Sequence, residues 1–125
     1  MIRKDELASA AATGNVELVE LLLQADEVDV NAVNSFGRTP LQVMMMGSTK
    51  VAKLLLDHEA NPNVFDNSTG ATPLHDAARE GFLETVKMLI QFDADISVKD
   101  YRGRRPIDLA RETGHLKVAS FLESL

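Results

Sequence analysis

Residues 70–75 read Gly-Ala-Thr-Pro-Leu-His, and a related segment lies at the same interval on either side of them. Residues 37–42 read Gly-Arg-Thr-Pro-Leu-Gln and residues 103–108 read Gly-Arg-Arg-Pro-Ile-Asp, so the Gly and the Pro recur every 33 residues. A fixed period of this length is typical of repeat proteins, in which each unit is stabilised by packing on its neighbours. The chain of 125 residues therefore holds close to four units.

Each unit is predicted to be a pair of short helices. Thr39 and Thr72 can cap a helix by accepting its first N–H groups, and a Pro fits the first helical position because no N–H is needed there. A Gly is predicted to mark the turn before the second helix, at Gly14, Gly47, Gly81 and Gly114. Apolar residues spaced by three and four then place a stripe on the second helix, as in Val51, Ala52, Leu55 and Leu56. Polar segments at 26–36, 57–69 and 93–102 are predicted to form hairpin-like loops.

The predicted fold is therefore all-α, a solenoid of four helix–turn–helix repeats in a single domain over residues 1–125. The expected repeats cover approximately residues 4–33, 37–65, 70–98 and 103–125. The first helix of repeat two is predicted to be shortened, because Pro40 precedes Ala52 by 12 residues. The matching intervals in the next two repeats, from Pro73 and from Pro106, are both 13 residues.

Composition restricts the class of function. The chain has no Cys, which excludes disulfides and thiolate metal sites, and its first six residues contain no apolar signal segment. Its formal charge is −6, of which residues 1–36 contribute −5 with seven acids and two bases. An acidic chain of this kind disfavours nucleic acid and favours a basic protein partner, although the acids could equally form a plain solvated surface.

No residues in the chain suggest catalysis, a cofactor site or a metal site. His75 is adjacent to Asp76, but neighbouring positions on a helix point about 100° apart and cannot act as a catalytic pair. The three His residues show no spacing suited to a metal. The chain is therefore predicted not to be an enzyme.

The segment Thr-Pro-Leu-His at 72–75, together with the 33-residue period, resembles the ankyrin repeat. Residues 34–48, with three consecutive Met, and residues 75–83 are similar to the four-repeat ankyrin inhibitors of cyclin-dependent kinases 4 and 6. Residues 7–12 and 33–37 are closest to one member of that family. The alternative left open is a general ankyrin adaptor or scaffold that binds a protein other than a kinase.

The resemblance implies a protein inhibitor of cyclin-dependent kinase 4 and cyclin-dependent kinase 6. Such an inhibitor opposes cyclin D binding, restrains progression through G1 and acts as a tumour suppressor. It further implies a monomer in the cytoplasm and nucleus, with no cofactor, nucleic acid or membrane as a partner.

The resemblance also suggests which residues bind the kinase. Asp76 matches an Asp that contacts an Arg of the kinase, and Asp66, Glu17 and Glu84 match further acidic contacts. Arg79 is expected either to contact the kinase or to form an internal salt bridge that supports the groove.

Two apolar candidates and four structural residues complete the predicted site. Met45 is expected to be the exposed member of the Met44–Met46 run, and Phe36 stands at a loop tip with little to pack on. His75 is expected to bridge loop backbones between repeats, with Thr72, Gly70 and Pro73 in structural roles.

The ends of the second helices depart from the usual ankyrin pattern of Gly-Ala. The chain has Asp26-Glu27, Glu59-Ala60 and Asp93-Ala94 at these positions. Because a left-handed backbone favours Gly, an acidic residue there is expected to cost on the order of 1 kcal/mol.

Overall fold

The computed structural model describes residues 5–125, which contain eight helices and no strand. The helices are α1 (Glu6–Ala12), α2 (Val16–Leu23), α3 (Pro40–Val43), α4 (Thr49–Asp57), α5 (Pro73–Glu80), α6 (Leu83–Gln91), α7 (Pro106–Glu112) and α8 (Leu116–Glu123). The all-α pattern of four helix pairs is confirmed. Among these residues, no helix has both the length and the apolar character needed to span a membrane.

The chain divides into two compact units. The first unit ends at Asn61 and holds α1–α4, and the second unit covers Pro62–Leu125 and holds α5–α8. The predicted single domain and its repeat boundaries stay a prediction, and the first boundary, at residue 4, lies outside the described residues.

The core of the first unit lies between its helix pairs. Helix α1 packs against α2 and α3, while α2 packs against α4. The side chains of Val19, Leu41, Val51 and Leu55 are completely buried there. The apolar stripes of the second helices α2 and α4 therefore face inward, as their spacing predicts.

The second unit repeats this arrangement of helices. Helix α5 packs against α6 and α7, and α7 packs against α8. The residues Leu74, Val86, Leu89, Leu109 and Val118 have 2 % or less of their surface exposed. The second unit thus has a core of its own, built from the same positions of the repeat with the exception of Leu109.

The predicted helix starts are confirmed at Thr39 and Thr72. Each Thr side chain accepts the N–H of the residue three positions on, and a Pro occupies the first turn of the helix. Repeat four has Arg105 in place of Thr, and there the Asp108 carboxylate accepts the Arg105 N–H at 2.8 Å. In each first helix of repeats two to four, a side chain at the helix start therefore accepts a backbone N–H.

The predicted shortening of repeat two is also confirmed. Helix α3 has four residues, whereas α5 has eight and α7 has seven. Met44 leaves the helix with ψ 157°, and the Met45 N–H then donates to the Ala11 carbonyl at 2.9 Å. Gly47 lies in the turn between α3 and α4, as predicted, but its φ is not positive, whereas that of Gly81 is 82°.

Each of the three loops between repeats is closed at its base by one backbone hydrogen bond of 2.8 Å. These bonds join Asn34 to Arg38, Asp66 to Ala71 and Asp100 to Arg104. The middle loop is one residue longer than the other two.

Of the three second helices that lead into another repeat, two are followed by a residue in the left-handed conformation. Glu59 has φ 69° and Asp93 has φ 70°. The same expectation is wrong for Asp26-Glu27, where neither residue has a positive φ. Helix α2 instead ends at Leu23, and its capping residue Gln24 is in the right-handed α conformation.

Candidate functional site

Asp76 lies in the first turn of α5, at the edge of the second unit's core. Its side chain is 29 % exposed, and its Oδ1 accepts a hydrogen bond from Arg79 Nη2 at 2.9 Å. The two residues are three positions apart, the spacing at which helical side chains meet. The internal ion pair anticipated for Arg79 is therefore present in the free protein.

Burial is the main influence on the Asp76 carboxylate. Desolvation raises the pKa of Asp76 above its ordinary value, although the neighbouring Arg79 lowers it. The free protein thus keeps an incompletely compensated negative charge at this position. A cation supplied by a partner would improve the environment of that charge.

His75 connects the start of α5 to the following loop. Its Nδ1 accepts the Thr72 N–H at 3.1 Å, so its Nε2 carries the proton and donates to the Arg104 carbonyl at 2.8 Å. The imidazole and the Thr72 side chain are both buried. These bonds join repeat three to repeat four and fix the helix turn that carries Asp76.

Asp66 begins the longest of the three loops between repeats. Its Oδ1 accepts the Ser68 N–H at 2.7 Å, and its carbonyl accepts the Gly70 N–H at 2.6 Å. The side chain is half-buried against its own loop. Gly70 has φ 73°, a conformation that suits a residue without Cβ.

The three consecutive methionines differ in exposure as predicted. Met44 and Met46 are buried, and Met45 is 49 % exposed. The Met45 side chain packs over Gly14, because a Cβ added there would lie 2.9 Å from its sulfur. The short α3 thus leaves one flexible apolar side chain at the surface of the first unit.

The other predicted contacts lie at separate positions. Phe36 is 78 % exposed at the tip of the loop that Asn34 begins. Glu17 is exposed in the first turn of α2, and Glu84 in the first turn of α6 lies 3.8 Å from Lys87 Nζ. Of the predicted residues in the second unit, Asp76 and Arg79 are joined directly.

Two asparagines that were not predicted from the sequence form hydrogen bonds at the left-handed residues that follow α4 and α6. The Asn31 side chain donates to the Glu59 carbonyl and accepts the Asn61 N–H. The Asn63 side chain makes the equivalent pair of bonds with Asp93 and Asp95. The recurrence of Asn at an interval of 32 residues was the signal that could have identified them.

A charged network in repeat four was also missed. Asp100 is buried, and its carboxylate accepts the N–H groups of Arg102 and Arg104 as well as the Arg104 guanidinium. Burial alone would raise the pKa of Asp100, but these bonds together lower it. Arg104 also pairs with Glu112 at 3.0 Å.

Within residues 5–125, no three His, Asp or Glu side chains are grouped so as to hold a metal ion. The arrangement offers acidic and apolar side chains on helix starts and loops.

Comparison with known proteins gives a consistent result. A family model described as ankyrin repeats (3 copies) matches residues 7–100 and 65–124. The chain is 55 % identical to cyclin-dependent kinase 4 inhibitor B of Rattus norvegicus over 94 % of this chain and 90 % of that protein. It is 54 % identical to cyclin-dependent kinase inhibitor 2A of Homo sapiens, over 96 % of this chain and 76 % of that protein. The member to which residues 7–12 and 33–37 point is the inhibitor B.

Proposed function

The chain belongs to the ankyrin-repeat family of cyclin-dependent kinase inhibitors, and on that premise we propose that it binds cyclin-dependent kinase 4 and holds it inactive. The observation that carries the proposal is the identity of more than half of the residues over nearly the whole chain to proteins named as inhibitors. The protein acts by binding and is not an enzyme.

Inhibition of this kind requires a difference in affinity between two states of the kinase. The inhibitor shifts the kinase population only if it binds the inactive conformation more tightly than the cyclin-bound one. Linkage then makes cyclin D binding and inhibitor binding mutually unfavourable. The cellular consequence is restraint of progression through G1, and through this restraint the protein acts as a tumour suppressor.

Asp76 is the residue on which kinase recognition depends most. Its carboxylate is desolvated, and Arg79 holds it in one orientation before any partner arrives. An Arg of the kinase would add a charge-assisted hydrogen bond to a group that is already ordered. Asp66, Glu17 and Glu84 supply further negative charge, and Met45 and Phe36 supply apolar contacts.

The proposal extends to three finer points. Cyclin-dependent kinase 6 is a second partner, the protein acts as a monomer, and it works in the cytoplasm and nucleus. The acidic and apolar side chains described above suit a partner whose contact surface is basic.

The test replaces Asp76 by Asn and measures binding to monomeric kinases 4, 6 and 2. We expect the wild-type chain to bind kinases 4 and 6 but not kinase 2. The Asp76→Asn variant should bind kinase 4 about thirty to a thousand times more weakly, a loss of about 2–4 kcal/mol. Calorimetry or biolayer interferometry gives the affinities.

A matched control is Asp57→Asn, which removes an ion-paired Asp at the end of α4. It should leave kinase binding unchanged, because Asp57 belongs to no predicted contact. The Asp76→Asn variant should not melt at a lower temperature, because the raised pKa of Asp76 means that burial disfavours its charged form in the folded state. Indifference of the wild-type chain to all three kinases would reject the inhibitor and favour the adaptor or scaffold.

A further inference from the structure

Tyr101 lies in the loop of repeat four and contacts the longer loop of residues 66–71. Its N–H donates to the Thr69 carbonyl at 2.9 Å. Its ring lies against Gly70, because a Cβ added there would come within 2.6 Å of the ring and 3.0 Å of the Tyr101 nitrogen. The Tyr101 side chain is 64 % exposed and thus contributes little to the core.

The longer loop is closed differently from the two shorter ones. In the shorter loops, Oδ1 of the first residue accepts the N–H of the last one, Arg38 or Arg104, and so spans the whole loop. In the longer loop, the last residue is Ala71, and its N–H bonds to Thr69 Oγ1 instead. The contact from Tyr101 falls on this same Thr69 and on Gly70.

The contact is transmitted to Asp66 through two short hydrogen bonds. Gly70 donates its N–H to the Asp66 carbonyl at 2.6 Å, and Ser68 donates its N–H to Asp66 Oδ1 at 2.7 Å. A movement of Thr69 and Gly70 would therefore change the orientation of the Asp66 carboxylate. Loops that are ordered before binding lose less conformational entropy on association.

We propose that Tyr101 is a positioning residue for kinase binding, which orders the 66–71 loop and thereby orients Asp66 without itself meeting the kinase. The inference rests on the proposed function, because Asp66 matters here as a kinase contact. A residue of repeat four thereby contributes to kinase recognition by the loop that carries Asp66.

The first arm of the test uses the free protein and needs no kinase. Amide hydrogen exchange is followed by NMR in the wild type, Tyr101→Ala and Tyr101→Phe. Tyr101→Ala should speed exchange at Ser68 and Gly70 by about fivefold or more, because loss of the ring allows local opening. Amides of the core helix α6 should not change, and Tyr101→Phe should restore the wild-type rates.

The matched control is Arg102→Ala, one residue further along the same loop. Arg102 is exposed, and only its backbone N–H bonds to Asp100. This variant should exchange like the wild type at Ser68 and Gly70.

The second arm is a pair of double-mutant cycles on kinase 4 affinity. Tyr101→Ala should weaken binding by about fivefold and should add little to the loss caused by Asp66→Asn, because both act on one contact. The fold-loss of affinity caused by Tyr101→Ala should multiply fully with that caused by Asp76→Asn, because Asp76 lies on α5 and outside this loop.

The following outcomes would contradict the proposal. Unchanged exchange at Ser68 and Gly70, exchange raised throughout the chain, or full additivity with Asp66→Asn would overturn the positioning role. Failure of the wild-type chain to bind kinase 4 would reject the proposed function and the recognition role together. The exchange data would then still decide whether Tyr101 orders the loop.

Discussion

Glu59 and Asp93 adopt a backbone conformation that suits Gly, with φ near 70°. The left-handed region costs an L-residue roughly 1 kcal/mol or more, because its Cβ crowds the following carbonyl. The carbonyls of these two residues accept the side-chain amides of Asn31 and Asn63. The conformation is therefore held by neighbouring loops in spite of the residue type.

Replacement of Glu59 or Asp93 by Gly is expected to stabilise the protein. Release of about 1 kcal/mol should raise the melting temperature by roughly 4 °C, less a part offset by the greater freedom of Gly in the unfolded chain. Thermal unfolding followed by circular dichroism measures the change. Glu27→Gly is the control and should lower the melting temperature, because Glu27 has no positive φ. An unchanged or lower value for the Glu59 and Asp93 variants would contradict the argument.

At the scale of single elements, the loop of residues 100–104 shows how one carboxylate can organise a turn. Asp100 Oδ1 accepts the N–H groups of Arg102 and Arg104, and Oδ2 accepts the Arg104 guanidinium. Asn34 begins the matching loop of the first unit and makes the same two Oδ1 bonds, to Phe36 and Arg38. A neutral amide oxygen is therefore sufficient for the turn, and the ion pair is an addition.

The variant Asp100→Asn separates these two contributions. We expect it to keep the turn but to melt at a lower temperature than the wild type at pH 7, because the ion pair with Arg104 is lost. The pKa of Asp100 is lowered in the folded state, so its stabilising effect is complete above the unfolded pKa of about 3.9. The difference should disappear as the pH falls through the lowered folded value.

The control for this prediction is Asp100→Ala, which removes the turn as well as the ion pair. Its deficit should remain at acidic pH, because the N–H groups of Arg102 and Arg104 lose their acceptor at every pH. Melting curves from pH 7 to pH 2.5 provide the comparison. A difference between wild type and Asp100→Asn that does not depend on pH would rule out the ion pair as its cause.

Elements were predictable where the repeat itself carries the information. The interval of 12 residues between Pro40 and Ala52 predicted the short α3, because a helix cannot lose a residue without losing part of its turn. The exposure of Met45 followed from the same shortening. The caps at Thr39 and Thr72 depend only on residues three positions apart.

The failures occur where one repeat is irregular or where two loops meet. Asp26 was expected to be left-handed by analogy with Glu59, but α2 ends earlier, at Leu23. The contact of Tyr101 with Gly70 joins residues 31 positions apart, and no periodic position marks it. The ion pair of Asp76 with Arg79 was one of two open alternatives, because spacing alone shows that such a pair is possible.

At the scale of the whole molecule, charge is distributed unevenly along the repeats. Residues 1–36 carry −5, whereas residues 103–125 carry +1, with three acids and four bases. The acids Glu17, Glu20, Asp26 and Glu27 of the first unit are all exposed. A field of this kind acts on the rate at which an oppositely charged partner is encountered more than on the stability of the complex.

Association with kinase 4 should therefore depend on ionic strength. We expect the association rate constant to fall by about tenfold between 50 and 500 mM NaCl, because the Debye length shortens, while the dissociation rate changes much less. The double variant Glu20→Gln with Glu27→Gln should flatten this dependence. The variant Glu112→Gln with Glu123→Gln removes the same charge from the last repeat and should leave the dependence as it is. Equal salt dependence in both double variants, measured by stopped-flow fluorescence, would show that the N-terminal acids are a solvated surface without a part in steering.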